Sequence, residues 1–224
     1  MLDQAWEAAY AFRKIKEQPE LKASHIGFLG FSQAGWVVPE ASRLVGSDFA
    51  IRVGAAINWR SQSIYYAQKR LEAEGLSFKD IQSAIKRETA EFDKQCTSDA
   101  ATRSCHSFCN RQDFERRNSR ANVTKEISGV RTPIMILMGD DDRNVDADET
   151  IAVWAQALPK ETQRCIRKIP GATHGLLRSR WFDYQSPSQF PLWKQALFLL
   201  SGQYAYSPDA LNAFSSWIID KNCD

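Results

Sequence analysis

The stretch Gly30-Phe31-Ser32-Gln33-Ala34-Gly35 sets a serine hydroxyl between two glycines, at a spacing suited to nucleophilic chemistry. A serine hydroxyl is a weak nucleophile at neutral pH and needs a nearby base, itself oriented by a third group. His174, in Pro170-Gly171-Ala172-Thr173-His174-Gly175, is the candidate base, and one carboxylate of Asp140-Asp141-Asp142 is the candidate orienting group. All three follow short apolar runs that read as strands, and ligand sites of parallel sheets lie past the carboxyl ends of the strands. In that arrangement His174 takes the Ser32 proton, while the aspartate fixes the imidazole tautomer and stabilises the imidazolium. The backbone N–H of Gln33, at a helix start, is expected to face a developing oxyanion.

Other chemistries fit the sequence less well. Asp140, Asp142, Asn144, Asp146 and Asp148 alternate like calcium ligands, yet Val145 stands where the loop needs glycine and Ile151 where it needs a bidentate glutamate. Cys105-His106-x-x-Cys109 with Cys96 lacks the paired C-x2-C knuckles of a zinc site, so these cysteines read as structural, with one bridge among them open. Arg111, Arg116, Arg117 and Arg120 read as a solvated helix face. His25 reads as an exposed or capping residue, and Trp36 as core packing or as a wall on which substrate stacks. No metal and no cofactor is expected. Asn122-Val123-Thr124 is a glycosylation sequon of a kind frequent by chance.

The elements that must hold these groups follow from periodicity. Residues 2–17 read as an amphipathic helix whose face is Leu2, Ala5, Trp6, Ala9, Phe12 and Ile15, stopped by Pro19. A strand at 25–30 leads into the serine turn, and a helix from Trp36 runs to Leu44-Val45 with Gly46 as its cap. Residues 52–57 read as the next parallel strand, 133–138 as a third and 164–169 as a fourth. A helix over 147–158 carries Asp148 and Glu149 at its positive end. The last helix starts with Ser207 as N-cap and Pro208 at its first position, and Leu211, Phe214, Trp217 and Ile218 form its core face. Between about 61 and 128 charge rises and glycine almost vanishes; segments 61–74, 78–95 and 110–118 read as helices, with Ser77 or Ser98 as caps. This gives an α/β fold whose core is 1–60 with 129–224, carrying a helical cap at 61–128.

Composition excludes several classes. The 224 residues, 43% hydrophobic and 25% charged, suffice for one sizeable core. The net charge of +2 is too balanced for a nucleic-acid or membrane-surface protein. No apolar run approaches the roughly 18–20 residues that span a bilayer. Five cysteines, an odd number, cannot all pair within the chain, and no compartment follows from them.

Taken together, the motifs resemble those of the α/β-hydrolase superfamily, of the esterase, dienelactone hydrolase and acyl-aminoacyl-peptidase kind. Ser, then Asp, then His is that superfamily's chain order. GFSQAGW resembles its nucleophile elbow, PGATHG its histidine loop, and GDDDRNV its G-x-x-D-x-x-V acid turn, which selects Asp142 over its neighbours. The resemblance implies a serine hydrolase that cleaves a carboxylic ester or related acyl bond through an acyl-enzyme. An acyl-peptidase and a thioesterase are alternatives within the class, and a non-catalytic interaction module is the alternative outside it. The catalytic residues it implies are Ser32, Asp142 and His174, with Gln33 and Trp36 at the substrate. It also implies strands and an oxyanion loop upstream, so the chain is expected to be a C-terminal part with an open sheet edge prone to self-association.

Overall fold

The computed structural model describes residues 1–20, 25–105 and 109–223. Four parallel strands form one sheet in sequential order: β1 (Gly27–Phe31), β2 (Phe49–Val53), β3 (Ile134–Gly139) and β4 (Arg164–Ile169). Every residue of β3 is buried, as its unbroken apolar run requires of a strand covered on both faces. Helix α1 (Leu2–Lys16) packs beside α2 (Ala34–Val45), which connects β1 to β2.

Between β2 and β3 the described residues hold only helices: α3 (Trp59–Ala73), α4 (Phe78–Gln95), α5 (Ser98–Thr102), α6 (Arg111–Asn118) and α7 (Thr124–Ile127). Helix α8 (Ala147–Ala157) joins β3 to β4; α9 (Ser179–Phe182), α10 (Leu192–Ser201) and α11 (Pro208–Asp220) follow.

Strand alternation divides the core in two. Ala50, Ile134, Ile136 and Met138 meet Val38 of α2 and Trp154 of α8 on one face. Ile51, Val53, Met135 and Leu137 meet Ala210, Ala213 and Trp217 of α11 on the other. Helix α11 does not cover β1, where Leu29 stays 50% and Phe31 42% exposed.

Several expectations shift. The second strand is Phe49–Val53 rather than 52–57: Gly54, at φ +57°, turns the chain out of the sheet, and the apolar residues 55–57 are buried beyond it. On α1 only Ala5, Ala9 and Phe12 are buried, while Leu2, Trp6 and Ile15 are exposed, because a single neighbouring helix covers a narrow stripe. Thr97, not Ser98, caps α5, whereas Ser77 caps α4 as expected. On α11 the buried residues are Ala210, Ala213 and Trp217; Leu211 and Phe214 are half-buried and Ile218 is exposed, since small residues permit the closest approach to the sheet.

Cys105 pairs with Cys109 and Cys165 with Cys223, leaving Cys96 free. The thiols of Cys105 and Cys109 are thus committed to each other, and His106 lies outside the described residues. Among the described residues no group of three or more His, Cys, Asp or Glu is placed to hold a metal, and no helix is long and apolar enough to cross a membrane.

Candidate active site

Ser32 sits directly after β1 at φ +52°, a left-handed conformation that a residue with a side chain holds only under constraint. The constraint is visible on both sides. The Ser32 N–H donates to the Val53 carbonyl at 2.7 Å, extending the β1–β2 ladder by one rung, and the Ser32 carbonyl accepts from Gly35 N–H at 2.9 Å, closing the turn into α2. Strand and helix approach so closely that a Cβ at Gly30 would stand 2.6 Å from Val38, and one at Gly35 would collide with Ala55. Gln33 is the N-cap of α2, and its N–H donates to no group among the described residues.

Asp142 leaves the end of β3 in a tight turn. Its side chain is fully buried, and Oδ1 accepts from the N–H groups of Asn144 at 2.7 Å and Val145 at 2.9 Å. Oδ2 is thereby aimed at His174 Nδ1, 2.9 Å away. A carboxylate can only accept, so Nδ1 carries a proton, and in the neutral form of the ring the lone pair is on Nε2.

The His174 ring rests on Gly54, where an added Cβ would stand 2.9 Å from Nδ1. Gly54 is the residue after Val53, whose carbonyl holds the Ser32 amide. Ser32 and Asp142 therefore lie past the carboxyl ends of β1 and β3, and the His174 ring, from the loop after β4, lies over the end of β2. The hydrogen bond expected between Ser32 and His174 is not formed: among the described residues neither the Ser32 hydroxyl nor His174 Nε2 has a partner. Asp142 and Gly54 fix the ring, whereas nothing ties the hydroxyl rotor, and such contacts commonly tighten only with substrate.

Ser32 and Gln33 open into a cleft of about 350 Å³, walled by Gly54, Trp36, Trp59 and Phe114. Trp36 stacks on Trp59 at 5.5 Å and packs against the core, as the packing reading expects, and it also lines this cleft.

Residues 6–178 match the family described as BAAT / Acyl-CoA thioester hydrolase C terminal. The chain belongs to that family. As a member of the BAAT / acyl-CoA thioester hydrolase C-terminal family it is an α/β hydrolase in fold. No curated protein matches it significantly by sequence.

Solved structures similar to it include an esterase of Pyrococcus furiosus (13% identity, TM-score 0.47, 90% of this chain against 62% of that one). A proline iminopeptidase of Mycobacterium smegmatis is similar at 15% identity and TM-score 0.42, over 88% of this chain and 71% of the other. An acylaminoacyl peptidase of Pyrococcus horikoshii is similar at 15% and 0.44, over 88% and 27%. The chain thus spans less than two thirds of two of these three proteins.

In this family member the acid turn has supports that sequence reading missed. Tyr65 of α3 donates its hydroxyl to the Asp142 carbonyl at 2.9 Å. Gln185 donates from Nε2 to the carbonyls of Arg143 at 2.8 Å and Tyr66 at 2.9 Å, and its own carbonyl accepts from Asn144 Nδ2 at 3.1 Å. Burial, helped by the charge of Asp142, pushes the Tyr65 phenol up to about 12, so it remains a donor at neutral pH. These contacts join residues between 41 and 119 positions apart, and no local pattern announces them. The acids of the calcium-like run are engaged separately: Asp146 caps α8 and Asp148 pairs with Lys168 at 2.6 Å.

Proposed function

We propose that this chain carries the nucleophile, base and acid of a serine hydrolase that transfers an acyl group from a thioester or ester to water. Ser32 Oγ attacks the carbonyl carbon as His174 Nε2 takes its proton, and Asp142 steadies the imidazolium. The oxygen gains negative charge beside the Gln33 N–H at the positive end of α2. The C–S or C–O bond then breaks, and the leaving group takes the proton from Nε2. Water, deprotonated by the same nitrogen, attacks the acyl-serine; the C–Oγ bond breaks, Ser32 Oγ takes the proton back from Nε2, and the acid is released.

The observation that carries this reading is the Asp142–His174 pair at 2.9 Å, seated on Gly54 beside the strained Ser32 turn. The family's description names acyl-CoA thioester hydrolases, which supports an acyl thioester ahead of an oxygen ester as the substrate proposed. A fluorophosphonate probe is expected to label Ser32 in the native chain, and Ser32→Ala to abolish both label and turnover. Label on another residue, or undiminished turnover by the alanine variant, would place the nucleophile elsewhere.

A second reading is an interaction module built on the same fold. It is favoured by the open β1 edge with Leu29 and Phe31 exposed. A folded wild-type chain that neither labels nor turns over an activated ester would support it.

A further inference from the structure

Arg52 is the fourth of the five residues of β2, fully buried, and among the described residues no carboxylate pairs with it. Burying an unpaired cation is expensive, and a methionine of similar size would fill the space at less cost. Burial pulls its pKa down to about 9, so it is still charged at neutral pH.

Its contacts show what the charge holds. Nε donates to the Gly35 carbonyl at 2.6 Å, Nη2 makes a longer contact of 3.5 Å with the Ala56 carbonyl, and Cζ lies 4.3 Å from the centre of the Trp154 ring. Each partner belongs to an element that carries part of the site. Gly35 is in the first turn of α2 behind Ser32, and Ala56 is in the segment that leaves Gly54 under His174. Trp154 is on the helix that follows the Asp142 turn.

The Gly35 carbonyl has a particular need. In an α-helix it would accept from the N–H four residues on, and that residue is Pro39, inside α2, with no N–H to give. A carbonyl buried at this turn and left unpaired would cost about 1–3 kcal/mol. Arg52 supplies the missing donor from the adjacent strand, and with a charge-assisted bond.

We propose that Arg52 is the positioning residue of the nucleophile turn, holding the first turn of α2 by the one carbonyl that Pro39 leaves without a helical donor. It touches neither Ser32 nor the candidate substrate cleft, so its effect passes through the Gly35 peptide. The placement also accounts for an arginine within an otherwise apolar strand.

The test uses the 224-residue chain with Arg52→Met, Arg52→Lys, Pro39→Ala and the Arg52→Met/Pro39→Ala pair. Amide hydrogen exchange is read across residues 33–36 and, as a reference, across 135–138 of β3. Arg52→Met is expected to speed exchange at 35–36 by about tenfold or more while leaving β3 unchanged. In the Pro39→Ala background, where residue 39 regains an N–H for Gly35, the same substitution is expected to have a markedly smaller effect.

On p-nitrophenyl acetate, kcat is expected to fall about tenfold or more with KM within twofold. Exchange and kcat unchanged in Arg52→Met would overturn the proposal, as would equal losses at 33–36 and in β3, or equal losses with and without Pro39. If Arg52→Met does not fold, Arg52→Lys, which keeps the charge and loses the fork, carries the same comparison, and wild-type values in it overturn the proposal. The exchange arm does not depend on the hydrolase reading: a wild-type chain without turnover would sink that reading and leave the role of Arg52 to be decided by exchange.

Discussion

Holding Ser32 at φ +52° costs on the order of 1–3 kcal/mol, and the cost is met by backbone hydrogen bonds before and after it. The same economy of space governs Gly54. At φ +57° it needs no side chain, and a Cβ there would stand 2.7 Å from the His174 carbonyl and 2.9 Å from Nδ1. Gly54→Ala is therefore expected to push the imidazole off its seat. A displacement near 1 Å in such a site lowers turnover by about 10²-fold. Kinetics of a folded Gly54→Ala variant check this, and wild-type kcat would show that the ring is placed by Asp142 alone. Asp142→Asn is expected to keep the ring near its position yet favour the wrong tautomer, lowering kcat far more than stability. Thermal unfolding measured beside kcat separates the two effects.

Among the elements, α3 is the brace of the acid turn. Asn58 caps it, accepting from Ser61 N–H at 2.8 Å, and Tyr65 then falls on the turn of helix that faces residue 142. One turn earlier on the same face, Ser61 Oγ reaches Glu149 of α8 at 3.4 Å, where burial and the nearby Asp146 charge raise the carboxyl pKa. The helix thus touches the acid's turn and the helix that follows it. Tyr65→Phe removes one hydroxyl and nothing else. It is expected to lower stability by about 0.5–1.5 kcal/mol, read by urea unfolding, and to lower kcat with KM unchanged. If neither changes, Gln185 alone supports the turn.

At the scale of the whole molecule, two features stand out. The bridge between Cys165 and Cys223 ties the end of the chain, beyond α11, to β4 and closes a loop with a sequence separation of 58. Cys223→Ser is expected to cost about 2–4 kcal/mol in urea unfolding under non-reducing conditions, with the difference from wild type vanishing when both are reduced. The second feature is uncovered apolar surface. Leu29 and Phe31 lie along the open edge of β1, and α10 buries none of its residues, with Leu192, Leu199 and Leu200 each more than three quarters exposed. Surfaces of this kind recruit a partner or aggregate. The chain alone is expected to self-associate above the 25.4 kDa monomer in sedimentation, and charged substitutions at Leu29 and Phe31 to reduce it. A monodisperse wild-type monomer would count against the edge as the site of association.

The fold class and the positions of Ser32, Asp142 and His174 were legible in the chain because each depends on local signals. β3 is an unbroken apolar run, α2 ends at Gly46 in the left-handed conformation, and β4 spans 164–169 as its pattern predicts. Strand–turn–helix order then carries each candidate residue to the same edge of a parallel sheet. What the sequence could not supply depends on contacts between residues far apart. The second strand is present, but the bounds 52–57 carry it past Val53, because an apolar run looks alike whether it pairs in a sheet or is buried just beyond one. Burial of Tyr65 against residue 142, of Gln185 between two turns, and of Arg52 under Gly35 has no periodic trace. The exposure of Leu2, Trp6 and Ile15 likewise depends on how much of α1 its neighbour covers. Periodicity states which face of an element is apolar; only the packed structure decides how much of that face is covered, and which buried polar group meets which.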